Sequence, residues 1–246
     1  MEFEIECENL TKSFENFRAV DQVTLQIPAG EIFGFLGPNG AGKTTTIRLL
    51  MGMLVPTDGF AKIHGMDCLK DRIELKRWIG YLPDFPTFHD YLRGIEILNF
   101  VGQMQGLKKN ELKEKTAELF EKLDLKEAAD EFAVNYSAGM KRKLALACAQ
   151  IHDPQIFLLD EPTNELDPIA SREVQNWILS SAHSGKTIFL STHLLEQAEK
   201  LCHRVGILHN GKLLAIGTPG ELEEHLCPGG SLEEVFFSVT NTSLHG

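Results

Sequence analysis

The chain has no cysteine pairing pattern, no long apolar run and a shortage of positive charge. Its five cysteines (Cys7, Cys68, Cys148, Cys202 and Cys227) are scattered, odd in number and never spaced C-x-x-C, which argues against a disulfide framework and for reduced thiols in a cytosolic protein. The longest apolar runs, such as Gln155-Ile156-Phe157-Leu158-Leu159, are far short of a bilayer span, so any membrane association must run through a partner. The start, Met1-Glu2-Phe3-Glu4, is acidic and lacks the apolar core of a secretory signal, so none is expected. Lys and Arg number 24 against 35 Asp and Glu, a formal net charge of −11. Such a chain repels nucleic acid and anionic lipid at long range, and no nucleic-acid partner is expected. No internal repeat or low-complexity segment is present. With 246 residues, 43% of them hydrophobic, the chain can bury one large core or two small ones.

Residues 37–44 read Gly37-Pro38-Asn39-Gly40-Ala41-Gly42-Lys43-Thr44, a complete G-x-x-x-x-G-K-[ST] loop. The glycines let consecutive backbone N–H groups turn inward around a β-phosphate, where a Cβ would obstruct. Lys43 supplies a point charge between the β- and γ-phosphates, and the Thr44 hydroxyl takes a Mg²⁺ position. Glu31–Leu36 reads as a strand entering the loop. Lys43–Met53 reads as a helix leaving it, with Ile47, Leu50 and Leu54 on one face. The helix N-terminus adds its own positive end to the phosphate site. The chain is therefore expected to bind a nucleoside triphosphate.

The first sixty-five residues look like short strands with turns between them. Val20–Ile27 alternates apolar and polar residues, and Phe60–His64 reads as a strand after Pro56-Thr57-Asp58-Gly59. Trp78–Leu82 is a further short strand closed by Pro83. From about residue 88 to 150 the periodicity turns helical, with Ile95, Leu98, Val101 and Met104 every third residue. Leu112, Ala117, Leu119, Phe120 and Leu123 follow on a charged helix. Strands return at Gln155–Leu159, Thr187–Ser191 and Val205–His209 with helices between, the pattern of a parallel sheet wound by crossovers. The tail reads as two short helices, Thr218–Leu226 and Ser231–Phe237.

A phosphate loop alone does not name an activity. Ile156-Phe157-Leu158-Leu159-Asp160-Glu161 narrows it: a buried strand delivers two carboxylates at its C-terminal end, where ligands sit in open α/β sheets. Asp160 would hold Mg²⁺, and Glu161 is placed to polarise an attacking water as general base. A third element, Asn135-Tyr136-Ser137-Ala138-Gly139-Met140-Lys141-Arg142-Lys143, opens an apolar helix through Leu144, Leu146 and Cys148. Ser137 is a good N-cap, so the N–H groups beside it form an anion site. Three basic residues in the first turn oppose the helix dipole, a cost that a bound anion would offset.

Together these residues resemble the ATP-binding cassette family, the nucleotide-binding subunits of ABC transporters, from about residue 3 to 240. The phosphate loop Gly37–Thr44, continued by Thr45, is intact, and Tyr136-Ser137-Ala138-Gly139-Met140 is similar to the family's Leu-Ser-Gly-Gly-Gln signature. Asp160 and Glu161 match the metal carboxylate and the catalytic glutamate. Asn164-Glu165-Leu166-Asp167 is similar to the D-loop that touches the opposite subunit. His193, in Leu190-Ser191-Thr192-His193, matches the switch histidine that contacts the γ-phosphate, and Phe14 sits where the family stacks an aromatic ring on adenine. Four positions depart from the pattern: Ala138 and Met140 in the signature, Phe14 for tyrosine, and Asp84 after Gly80-Tyr81-Leu82-Pro83 where the family has glutamine. A carboxylate at 84 keeps a possible Mg²⁺ ligand and loses the amide donor.

The resemblance implies an α/β fold: a P-loop NTPase core with a wound, mainly parallel sheet, an N-terminal antiparallel β-subdomain and an inserted α-helical subdomain. The expected division is one ABC ATPase domain over 1–240, with core segments 1–87 and 153–217, a helical subdomain 88–152 and a short C-terminal helical extension 218–246. Two cassettes of the family close head to tail, each signature (Ser137 and Gly139 here) completing the other's phosphate loop. The implied cofactors are ATP and Mg²⁺. The implied partners are a second cassette, identical or related, and polytopic membrane permease subunits that hold the chain on the cytoplasmic face of the membrane. Phe85, Phe88 and Tyr91 in Asp84–Leu92 are the expected exposed docking groove. Tyr-Ser-x-Gly-Met-Lys, Gly-Tyr-Leu-Pro and Leu232-Glu233-Glu234-Val235-Phe236 look like cassettes of drug and polymer exporters. The rival readings are a soluble cassette ATPase not engaged in transport and a P-loop kinase or GTPase. The first lacks a long coiled coil, a second cassette in the chain or a basic surface to support it. The second gives no reason for Ser137–Met140 and has no Asn-Lys-x-Asp guanine reader.

Overall fold

The computed structural model describes residues 3–242. Two 12-residue strands, β1 (Phe3–Phe14) and β2 (Phe17–Pro28), form a hairpin. They join β4 (Asp58–Ile63) and β5 (Met66–Asp67) in an antiparallel sheet of order β2-β1-β4-β5. The opening strands are longer than the sequence suggests. Register shifts between Cys7 and Leu10 and between Leu10 and Lys12 interrupt the alternation that would have revealed them.

A second, six-stranded sheet has the order β10-β9-β3-β8-β7-β6. Its members are β3 (Ile32–Leu36), β6 (Ile79–Leu82), β7 (Ile156–Asp160), β8 (Thr187–Thr192), β9 (Arg204–His209) and β10 (Lys212–Gly217). All pairings in it are parallel except the β9–β10 hairpin. Every residue of β3, β7 and β8 is buried, as expected of strands covered on both faces. One core, built on Phe33, Phe35 and Phe189, lies between the two sheets and takes in Ile47 and Leu50 of α1 (Lys43–Leu50). The opposite face is covered by α6 (Pro168–His183) and α7 (Leu195–Leu201), with Val174, Trp177, Ala198 and Leu201 against Ile188 and Leu190. The tail helices α8 (Pro219–Leu226) and α9 (Leu232–Thr242) bury Leu222, Leu232 and Val235 in that same core.

After the short α2 (Arg72–Leu75) and strand β6, three longer helices follow: α3 (Gly94–Met104), α4 (Lys109–Lys122) and α5 (Ala138–Gln150). They enclose a third core around Leu98, Leu112, Phe120 and Tyr136. Helix α5 joins the lobes, giving Leu144 and Ala147 to the helical core and Leu146 and Ala149 to the sheet's core.

Four local expectations need correction. Helix α1 stops at Leu50 rather than Met53, because Gly52 turns left-handed at φ +62°. Met104 is 74% exposed, and α3 buries Gly94, Ile97, Leu98 and Gly102 instead of an every-third-residue stripe. On α4, Ala117 faces solvent and Thr116 is buried. Phe88 is half-buried between the sheet's core and the helical core, whereas Phe85 and Tyr91 are exposed as expected. Among the described residues no helix is long and apolar enough to cross a membrane.

Candidate functional site

The C-terminal ends of β3, β7 and β8 deliver the phosphate loop, Asp160-Glu161 and Thr192-His193 to one edge of the parallel sheet. Two glycines of the loop are dictated by its surroundings. A Cβ on Gly37 would stand 2.5 Å from the Leu208 carbonyl oxygen. Gly42, the residue before α1, has φ +111° and faces the Ala19 carbonyl where a Cβ would go. Gly40 is also left-handed, at φ +82°, with open space around it. Pro38, Asn39 and Ala41 complete the turn, closed by an Ala41 N–H donated to the Pro38 carbonyl at 3.2 Å. Thr44 and Thr45 follow in the first turn of α1.

Lys43, only 6% exposed, donates from Nζ to the Gly37 carbonyl at 2.6 Å and to the Pro38 carbonyl at 3.2 Å. The same ammonium stands 3.1 Å from Glu161 Oε1. The other oxygen, Glu161 Oε2, lies 3.0 Å from His193 Nδ1. One buried carboxylate thus bridges the loop lysine and the histidine after β8. Glu161 holds a left-handed backbone, φ +48°, which is uncommon for a residue with a Cβ and worth a functional reading where its surroundings enforce it. They do: the Glu161 N–H donates to Ser191 Oγ at 3.1 Å and to the Ser191 carbonyl at 3.2 Å.

Asp160 is buried beside it. Its Oδ1 accepts from Ser191 Oγ at 2.6 Å, while Oδ2 is buried without a hydrogen-bond partner. Burial pushes its carboxyl above the ordinary range, the neighbouring hydroxyls of Ser191 and Thr44 pull it down, and the nearby charges of Asp84 and Glu161 raise it again. Asp84 accepts from Asn164 Nδ2 at 3.1 Å. Oxygen donors from Asp160, Thr44 and Asp84 suit a hard divalent cation, and the orphaned Oδ2 is the atom such an ion would satisfy. Among the described residues no cluster of three or more His, Cys, Asp or Glu side chains could hold a metal unaided. Two carboxylates and a hydroxyl would suit Mg²⁺, which keeps one or two carboxylates and takes its remaining oxygens from phosphates and water.

Phe14 ends β1 at the hairpin whose second strand abuts Gly42 through Ala19. Its ring is 43% exposed, with Lys12 Nζ 5.0 Å from the ring centre. Ser137 caps α5 by accepting from the Met140 N–H at 3.2 Å. A Cβ on Gly139 would meet nothing closer than 3.9 Å, so nothing within the chain requires a glycine in this helical turn. Asp167 caps α6, accepting from the Ile169 and Ala170 N–H groups at 2.9 and 3.0 Å.

The expectation of a basic first turn on α5 facing an anion needs correction. Arg142 is 3% exposed and points inward, donating to the Pro83 and Asn164 carbonyls, and Lys143 pairs with Glu173 at 2.9 Å. Arg142 shares its helix face with Ala145, Leu146 and Ala149, three, four and seven residues on, all buried in the sheet's core. Sequence reasoning also missed Ser191, whose hydroxyl serves both Asp160 and Glu161.

The family model described as ABC transporter matches residues 20–164, more than half of the chain. The chain belongs to the ABC transporter family. As an ATP-binding cassette it is 37% identical over 239 residues to the probable multidrug ABC transporter ATP-binding protein YbhF of Escherichia coli (strain K12), which covers 96% of this chain and 41% of that protein. It is 40% identical over 211 residues to the bacitracin transport ATP-binding protein BcrA of Bacillus licheniformis, covering 85% and 68% of the two. A solved ATP-binding subunit of an ABC transporter superposes with a TM-score of 0.89 at 30% identity, covering 96% of this cassette and 98% of that chain. The cassette thus spans well under half of the first relative's length and about two thirds of the second's.

Proposed function

We propose that the cassette binds Mg-ATP, pairs head to tail with a second cassette, and hydrolyses ATP to drive export through separate membrane subunits. The observation that carries this reading is the Glu161 carboxylate, held between Lys43 and His193 beside a complete phosphate loop. The names of relatives, which include transport of bacitracin and export of Nod factors, support export as the direction.

In this reading the triphosphate takes the loop's N–H groups, and Lys43 exchanges Glu161 for the β- and γ-phosphate oxygens. That exchange frees Glu161 Oε1 to accept a proton from the attacking water as its oxygen bonds to the γ-phosphorus and the β–γ bridging bond breaks. His193 keeps the carboxylate oriented through Oε2 and offers its other ring nitrogen to the γ-phosphate. Asp160 and Thr44, with Asp84, would hold Mg²⁺, which neutralises phosphate charge. Phe14 stacks on the base. Ser137 and Gly139 serve the other cassette's nucleotide. A glycine in a helix costs about 1 kcal/mol relative to alanine, and at 139 no contact inside the chain requires one, which supports close approach from outside. Asp167 shapes the segment that meets the second cassette by ordering the start of α6. Residues 88–152 act as the lobe that moves against the core. The exposed Phe85 and Tyr91 form the docking surface for a permease, which places the cassette on the cytoplasmic face of the membrane.

Phosphate release by the purified chain tests this. Turnover that requires Mg²⁺ and is lost in Lys43→Ala is expected. Turnover retained in that variant refutes the assignment.

A further inference from the structure

A buried arginine is costly unless it is compensated, and Arg142 makes both of its hydrogen bonds to main-chain carbonyls rather than to a carboxylate. Its Nη1 reaches Pro83 O at 3.0 Å and its Nη2 reaches Asn164 O at 3.2 Å. Those carbonyls belong to the two loops that enter the site from β6 and β7. Asp84 follows the first, and the Asn164 side chain closes the ring by donating to Asp84. The Asn164 loop lies between two left-handed residues, Glu161 at φ +48° and Glu165 at φ +59°, a backbone that persists only where the surroundings hold it. Around the guanidinium the favourable charges are, in order, Asp84, Glu165, Asp160 and Glu161, set against the desolvation that pushes its pKa below the ordinary arginine range. Five residues before Arg142, the same helix starts at Ser137.

We infer that Arg142 is a positioning residue that ties the Asp84 loop and the Asn164 loop to the signature helix, so that movement of Ser137 in one composite site is transmitted to the metal and D-loop side chains of this chain's own site. The inference rests on the two-cassette reading above. The planar fork of arginine spans two carbonyls in different directions, and lysine, with one ammonium, reaches one of them. The device is mechanical: it sets where Asp84 and Asn164 stand without touching nucleotide.

Hydrogen exchange and steady-state kinetics on Arg142→Lys and Arg142→Gln test it. Amide exchange is expected to speed by about tenfold in one of the segments 84–92 and 164–168 for Arg142→Lys, which keeps one bond, and in both for Arg142→Gln, while α1 amides keep their protection. The kcat of Arg142→Lys is expected to fall about tenfold or more with KM within about twofold, because misplacement acts on the step rather than on binding. In combination with Asp84→Asn the loss should not exceed that of the larger single variant. Wild-type exchange in both loops, faster exchange spread through α1, or losses that multiply would each overturn the inference. Absence of ATPase in the unmodified chain would instead refute the proposed function, and the exchange data would still decide whether the tether exists.

Discussion

Replacing Glu161 by glutamine removes one proton acceptor and its charge while keeping the shape of the side chain. The side chain is buried, with Oε1 3.1 Å from Lys43 Nζ and Oε2 3.0 Å from His193 Nδ1. A glutamine of the same shape can turn its carbonyl to Lys43 and its amide to an unprotonated His193 nitrogen. Lys43 keeps its bonds to Gly37 and Pro38, so the loss of ion pairing should lower stability without nucleotide by about 1–3 kcal/mol. In a chain of this size that is a fall of a few degrees in Tm. The chemical step should slow by about 10²–10⁴-fold, or about 2.7–5.4 kcal/mol of barrier. ATP binding should tighten, since a carboxylate beside the triphosphate is gone. Single-turnover hydrolysis with labelled ATP, beside a nucleotide titration, reads both quantities. A rate within tenfold of the unmodified chain, or weaker ATP binding, would refute the assignment of Glu161 as base.

Asp160 and Phe14 give two further expectations. A carboxyl whose folded pKa is raised binds more protons in the folded than in the unfolded chain, so stability declines as pH rises through the raised value and the cost is present at pH 7. Asp160→Asn should therefore hold or raise Tm near neutrality in metal-free buffer, flatten the acid-side dependence of Tm, and abolish the Mg²⁺ response. A Tm several degrees lower with the Mg²⁺ response intact would contradict both the pKa direction and the metal role. Phe14 offers an exposed ring and no base-reading hydrogen bond, so ATP and GTP should bind with less than about tenfold discrimination and Phe14→Ala should weaken both alike. A strong GTP preference in the titration would count against stacking on Phe14.

The parts of the site that depend on spacing were legible in the sequence. The phosphate loop, the carboxylate pair after four apolar residues of β7, and Ser137 as a cap each follow from rules acting over fewer than ten residues. What stayed hidden depends on breaks in period or on distant partners. The bulges at Asn9 and Gln22, both left-handed, cut β1 and β2 into apparent short strands. On α3 the spacing of three advances 300° a step, so by Met104 the stripe from Ile95 has rotated half a turn into solvent. Arg142 reads as a surface charge until Pro83 and Asn164, 59 and 22 residues away, supply its acceptors. The left-handed backbone of Glu161 is imposed by Ser191, 30 residues on, and no local signal announces it.

The central claim is that ATP joins two cassettes through Ser137 and the opposing phosphate loop. Size-exclusion chromatography of Glu161→Gln with and without Mg-ATP tests it most directly, with Ser137→Arg added as the second arm. The account predicts a dimer only with nucleotide, and its loss in the double variant because the arginine side chain fills the space the opposing γ-phosphate needs. A nucleotide-dependent dimer that survives Ser137→Arg would contradict it.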